Sequence, residues 1–193
     1  SSDISFTMVA LDGDDDYLNF ADDGIIAIWG DWELTITAQD EDAIGSADKI
    51  YFGIREDAHD GWHYGSEEIP DINNPPDGGY TDIYFIHEDW IGDVDDNGVE
   101  CCLEGLPHFL VDYRSIPSYR QVIGWEISGT TGGNLNTDLP IKISWETETI
   151  DSLASEYNLY IFVEGNGYDM RDISNIIISQ DQLESANIWI YMG

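Results

Sequence analysis

Short apolar runs and strict alternations, each closed by Gly, Pro, Asn or Asp, recur along the whole 193-residue chain. In Trp32-Glu-Leu-Thr-Ile-Thr-Ala38 apolar residues occupy every second position, so an extended strand there has one apolar face, with Glu33, Thr35 and Thr37 on the other. Ile141-Lys-Ile-Ser-Trp145 repeats the pattern. Runs rich in β-branched and aromatic residues predict further strands at Ile4–Leu11, Lys49–Arg55, Tyr80–Ile86, His108–Asp112, Gln121–Ser128, Tyr157–Val163, Ile173–Ser179 and Asn187–Met192. No segment sustains a 3.6-residue period over three turns, and only Asp181–Ala186 has the composition for a turn or two of helix. Strands separated by turn residues in this way predict an all-β fold, an antiparallel β-sandwich of jelly-roll or immunoglobulin-like form with long loops. The length suits one domain over residues 1–193. Irregular stretches run from 58 to 79 and from 129 to 138; loops this long without secondary structure of their own are usually functional, ion-bound or disordered.

Charge narrows the partners. Six basic residues face forty acidic ones, a formal charge of −34. Such a chain repels the phosphate backbone, so nucleic acid is excluded as a main ligand and anionic membranes are disfavoured. It also repels itself, so bound divalent cations, high salt or an acidic medium is expected to accompany folding. The acidity is not that of a disordered chain, because 42% of the residues are hydrophobic and 12% aromatic. No run approaches the roughly 18 apolar residues of a membrane span, so no membrane insertion is expected. The opening Ser1-Ser-Asp-Ile carries neither a basic nor an apolar leader pattern and reads as a mature chain, extracellular or on the cell surface, after signal-peptide removal.

The stretch Asp93-Val-Asp-Asp-Asn-Gly-Val-Glu-Cys-Cys-Leu-Glu104 fills every place of the pattern D-x-[DN]-x-[DN]-G-x5-E. Ca2+ takes six to eight oxygen ligands, which predicts ligation by Asp93, Asp95, Asn97 and Glu104 with the Val99 carbonyl, Gly98 making the sharp turn. The flanks are not helical: a strand precedes, and Gly105 and Pro107 follow. A calcium loop joining strands is therefore expected rather than an EF-hand. Asp57 and Asp60 are further candidate ligands, with local turn capping as the alternative. Asp12–Asp16, Asp22 and Asp23 form an acidic cluster without defined spacing. The adjacent Cys101 and Cys102 are two thiols or a vicinal bridge; zinc spacing is absent. No H-E-x-x-H, G-x-S-x-G, P-loop or dinucleotide fingerprint occurs, and a non-enzymatic role is expected.

One resemblance adds to this. Ile54-Arg-Glu-Asp-Ala-His-Asp-Gly-Trp62, then Asn74-Pro-Pro-Asp-Gly-Gly-Tyr-Thr-Asp-Ile-Tyr-Phe85, resembles the signature D-A-x-D-G... P-P-x-x-G-Y-x-D-x-Y-F of secreted modules in archaeal and bacterial extracellular and cell-surface proteins. Val111-Asp-Tyr-Arg114, Trp125, Ile143-Ser-Trp145, Leu159-Tyr-Ile-Phe162 and Tyr168-Asp-Met-Arg171 follow in the same order, extending the likeness over roughly residues 30 to 192, within the tolerance of motif reading. It implies an extracellular β-sandwich without a known catalytic role. The chain departs from the pattern at Trp62-His-Tyr64 and in the loop from Asp93 to Glu104, which has the look of an insertion.

Seven Trp and eleven Tyr are many for one domain. Trp29, Trp32, Trp125 and Trp145 lie in strand patterns and are expected in the core. Trp62, Tyr64 and Trp90 lie in loops, where rings could stack on sugars or fill a partner's pocket. Ile4, Phe6 and Met8 belong to an N-terminal strand free of charge, suited to exchange or addition to a neighbour's sheet. The resulting expectation is a calcium-stabilised, non-catalytic subunit of a surface filament or other cell-surface assembly; the alternative is a carbohydrate-binding or adhesion module using the loop aromatics.

Overall fold

The computed structural model describes residues 17–20, 26–29, 31–41, 46–59, 61–62, 68–70, 79–102, 107–117, 121–133, 139–152 and 158–193. Its strands are β1 (Tyr17–Phe20), β2 (Ile26–Trp29), β3 (Trp32–Asp40), β4 (Asp48–Ile54), β5 (Glu68–Pro70), β6 (Tyr80–Ile86), β7 (His108–Arg114), β8 (Ile123–Gly132), β9 (Ile141–Trp145), β10 (Leu159–Val163), β11 (Asn166–Asp169), β12 (Asn175–Ile178) and β13 (Ile188–Met192). Two short helices, α1 (Thr147–Ser152) and α2 (Gln180–Glu184), and a 3-10 turn at Glu88–Trp90 complete it. The expected strand Ile4–Leu11, with Ile4, Phe6 and Met8, lies outside the described residues.

The fold is all-β, as expected. Apart from the β1–β2 hairpin, the strands form one mixed sheet in the order β11-β10-β13-β8-β6-β7-β4-β3-β9-β12, curled into a half-barrel, with β5 added beside β7. β4 and β7 run parallel, and every other pairing between these strands is antiparallel. The alternation read along Trp32–Ala38 places Leu34, Ile36 and Ala38 in the concave core. There Trp125 of β8 meets Phe52 of β4 edge-on at 4.9 Å, and its indole N–H donates to the Asp112 carbonyl of β7 at 3.2 Å. Trp145 caps the other flank by donating to the carbonyls of Met170 (2.9 Å) and Ile173 (3.0 Å). Buried indoles that find acceptors in this way avoid the cost of an unpaired donor.

A corner at β6 shapes the surface. β6 pairs with β8 from Tyr80–Gly132 to Phe85–Ile127, but meets β7 only through Phe85–Phe109 and Ile86–His108. β5 takes the rest of that side of β7. Residues 123–126 of β8 therefore run on past the end of the β6 ladder, and the 3-10 turn follows where β6 stops. α2 is closed by a capping box: Ser179 Oγ accepts from the Gln182 N–H at 3.1 Å, and the Gln182 side chain accepts from the Ser179 N–H at 3.0 Å. Among the described residues no helix is long and apolar enough to cross a membrane.

Candidate functional site: an aromatic platform

The convex face of β11-β10-β13-β8 carries an arrangement set by strand register. Directly opposed residues of antiparallel strands share a face. The pairs Gly167–Phe162, Phe162–Trp189 and Trp189–Glu126 make one row across four strands. Asp169–Tyr160, Tyr160–Tyr191 and Tyr191–Gly124 make the next. Between these residues the chain turns Ile161, Ile188, Ile190, Met192 and Trp125 into the core. Four aromatic side chains thus form a square on the outer face, with carboxylates at two opposite corners and glycines at the other two.

The glycines let rings lie low. A Cβ at position 124 would sit 2.8 Å from Cε1 of Tyr191, and one at 167 would sit 2.6 Å from Cε1 of Phe162, so each ring rests against its neighbour's backbone. The Trp189 and Tyr191 planes differ by 8° with centroids 5.7 Å apart. Phe162 meets Tyr191 edge-on at 5.6 Å and is tilted against Tyr160 at 6.4 Å. Phe162, Trp189 and Tyr191 are half-buried, and Tyr160 is 38% exposed. At one corner Asp169 Oδ1 accepts the Arg171 N–H at 2.9 Å.

At the opposite corner, burial and the neighbouring Glu88 hold the Glu126 carboxyl above the ordinary glutamate range; Asp89 adds to this and His87 opposes it. A carboxyl raised in the folded state favours folding below its unfolded value, about pH 4.3, and that contribution is lost as pH rises through the elevated folded value. Glu126→Gln is therefore expected to lessen the fall in melting temperature as pH rises from about 4.3 toward neutrality. A fall of unchanged slope in the variant would assign the pH dependence elsewhere.

Past the end of the β6 ladder, Arg114, Gln121, Val122, Ile123 and Gly124 line a pocket of about 250 Å³. Its Arg114 wall is fixed from behind. Arg114 Nε lies 2.8 Å from Asp112 Oδ1, and Nη2 donates to Asp112 Oδ2 at 3.1 Å. His87 Nε2 lies 2.7 Å from the same Oδ2, and its ring stacks on Trp90 at 3.6 Å. Asp112 is wholly buried, so its charge is met by these partners rather than by water.

The loop read as a calcium site is folded on its own hydrogen bonds. Asp95 Oδ1 accepts the N–H groups of Asn97 (2.9 Å) and Val99 (2.7 Å). The Val99 carbonyl, expected to face an ion, accepts from the Asp95 N–H at 3.0 Å and the Trp62 indole at 2.9 Å, which occupies both lone pairs. Asp93 and Asn97 point to the exposed surface, and Glu104 lies outside the described residues. Among the described residues no three His, Cys, Asp or Glu side chains gather closely enough to hold a metal ion. Asp57 is exposed in a turn, and Asp60 lies outside the described residues. Cys101 and Cys102 form a vicinal disulfide rather than two thiols, and the Cys101 N–H closes the loop on the Asp93 carbonyl at 2.7 Å.

Asp95→Ala would strip the acceptor from two loop amides, an expected loss of about 1–3 kcal/mol in chemical unfolding. The loss should be the same with EDTA as with added calcium. A loss confined to calcium-containing buffer would favour the ion-binding reading of the loop.

The loop-aromatic expectation needs correction. Trp62 is 7% exposed and Trp90 4%, both in the core beside Phe109, at 5.6 and 5.4 Å. Neither presents a ring to a ligand, because each plugs the end of the half-barrel beneath the loop. Tyr64 lies outside the described residues. The rings on the outer face come instead from β10 and β13. The signal was present: in Leu159-Tyr-Ile-Phe-Val163 and Ile188-Trp-Ile-Tyr-Met192 the aromatics alternate with aliphatics, which assigns rings to one face and branched chains to the other. Comparison of the chain with protein-family models, curated proteins and solved structures returned no match in any of the three.

Proposed function

We propose that the protein is a non-catalytic glycan-binding module whose ligand lies on the square formed by Tyr160, Phe162, Trp189 and Tyr191. The observation that carries this reading is the near-parallel pair Trp189 and Tyr191, set low on the sheet by Gly124. A sugar ring presents a face of C–H bonds, which the electron-rich face of an aromatic ring attracts, and hydroxyls at its rim, which carboxylates accept. Glu126 and Asp169 stand at the corners to do so. The charge of −34 favours an uncharged glycan over an acidic one. A disulfide and extreme acidity are in keeping with work outside the cell or on its surface. Titration with soluble neutral oligosaccharides, followed by tryptophan emission, should give a saturable change; no change with any of them would end this reading.

A second reading, assembly with copies of itself by strand addition, has one observation in its favour. Among the described residues the half-barrel stays open, with β11 and β12 as its edges, and β12 reads Asn175-Ile-Ile-Ile178 without a charge. Sedimentation at rising protein concentration tests it: assembly predicts a growing mass, and a constant monomer mass refutes it.

A further inference from the structure

We infer that β12 is the edge at which the protein meets a second copy of itself, the two β12 strands pairing antiparallel about a two-fold axis at Ile176. This rests on the strand-addition reading and gives it a site and a closed, two-copy form. The direction of the edge groups follows from the ladder. Asn175 stands opposite Ser144, so Ser174 stands opposite Trp145, whose N–H donates to the Ser174 carbonyl at 3.1 Å. Antiparallel strands turn successive residues alternately toward and away from a neighbour, so Ile176 and Ile178 also bond to β9, while Asn175 and Ile177 turn their N–H and C=O groups outward. Among the described residues no strand lies beyond them.

The edge is complementary to itself. With Ile176 of the two copies opposed, Asn175 of each copy faces Ile177 of the other, and the outward N–H and C=O groups of both copies satisfy one another. The Ile177 side chain, 48% exposed, then lies diagonal to its counterpart, and each covers the other. Charge decides between the two edges. A chain of −34 repels its own copies, and β11, the other edge, carries Asp169. Behind β12 the register sets Ile177, Lys142 and Gln39 in one outward row and Ser144, Thr37 and Lys49 in the next. These rows hold both lysines of the chain, each exposed, and no carboxylate. Lys142 is one strand, about 5 Å, behind Ile177. A second copy arriving at β12 therefore meets lysines, whereas one arriving at β11 meets a carboxylate.

The test is sedimentation equilibrium of the full chain over the micromolar-to-millimolar range, at low and at high salt. The unsubstituted protein should pass from one copy to two and stop there, with tighter pairing at high salt, which screens the general repulsion. Ile177→Pro removes an N–H that β9 does not use, and Ile177→Lys sets two like charges diagonally across the axis. Each should weaken pairing at least about tenfold with little change in melting temperature. Lys142→Glu should weaken it by a similar factor at low salt and recover at high salt. Should pairing persist undiminished in both Ile177 variants, the copies meet elsewhere, and the β12 site is overturned although self-assembly stands. Growth past two copies would overturn the closed pairing in favour of an open filament. A monomer at every concentration would remove the self-assembly reading and this inference together.

Discussion

Asp112→Ala is expected to lower the free energy of unfolding by about 3–5 kcal/mol, the loss typical of breaking a buried ion pair from one side. The carboxylate is fully buried and meets Arg114 through both oxygens and His87 through one. Removing it leaves a guanidinium, 15% exposed, without its counter-charge, beside an imidazole stacked on Trp90. The direction of the effect is informative because the two electrostatic scales oppose each other. In a chain of charge −34, deleting a negative charge relieves general repulsion and should stabilise. The local term dominates, since the partners are within 3.1 Å in a water-poor setting while charges at a distance across the surface are screened. Urea unfolding of Asp112→Ala and Asp112→Asn checks this; the amide should lose less, as it keeps acceptor capacity toward Arg114. A stabilised alanine variant would mean that general repulsion outweighs the network.

Trp189→Ala is expected to weaken glycan binding by about 2 kcal/mol or more, roughly thirty-fold, as for a central aromatic anchor. The ring is the middle of its row, between Phe162 and Glu126, and lies nearly parallel to Tyr191, at 8°. Because it is half-buried on the outer face, while Ile188 and Ile190 beside it fill the core, the fold should survive its loss. Melting temperature measured beside calorimetric affinity separates the two effects. Retention of full affinity in a folded Trp189→Ala protein would show that the ligand does not use the square.

Much of the fold was legible because burial imposes a period of two. β3, β4, β6, β7, β8, β9, β10, β12 and β13 all fall within segments read as strands, or overlap them closely. β5 was hidden in a Pro-rich stretch, and β11, Asn166-Gly-Tyr-Asp169, has no apolar face to announce it. β5 exists because β7 offers an edge, and β11 because a turn at Gly165, with φ of +81°, folds it back onto β10; such tertiary demands leave little local mark. The platform was overlooked for a different reason. Surface rings were expected from loops alone, so the alternation of rings and aliphatics along β10 and β13 went unused. The calcium pattern matches by residue type, and Asp95 also accepts its own loop's amides; a pattern of types does not separate that use from ion ligation.

The position of β13 has a consequence for how the protein is made. Ile188–Met192 is bonded on one side to β10 and on the other to β8, and it is the element through which the β10–β11 hairpin joins the sheet. On the ribosome that hairpin emerges before the strand that anchors it, leaving Leu159, Ile161 and Val163 with no wall to lean on in the meantime. The nascent chain must tolerate that delay, and its abundant negative charge, a burden once folded, keeps unfinished copies apart while they wait.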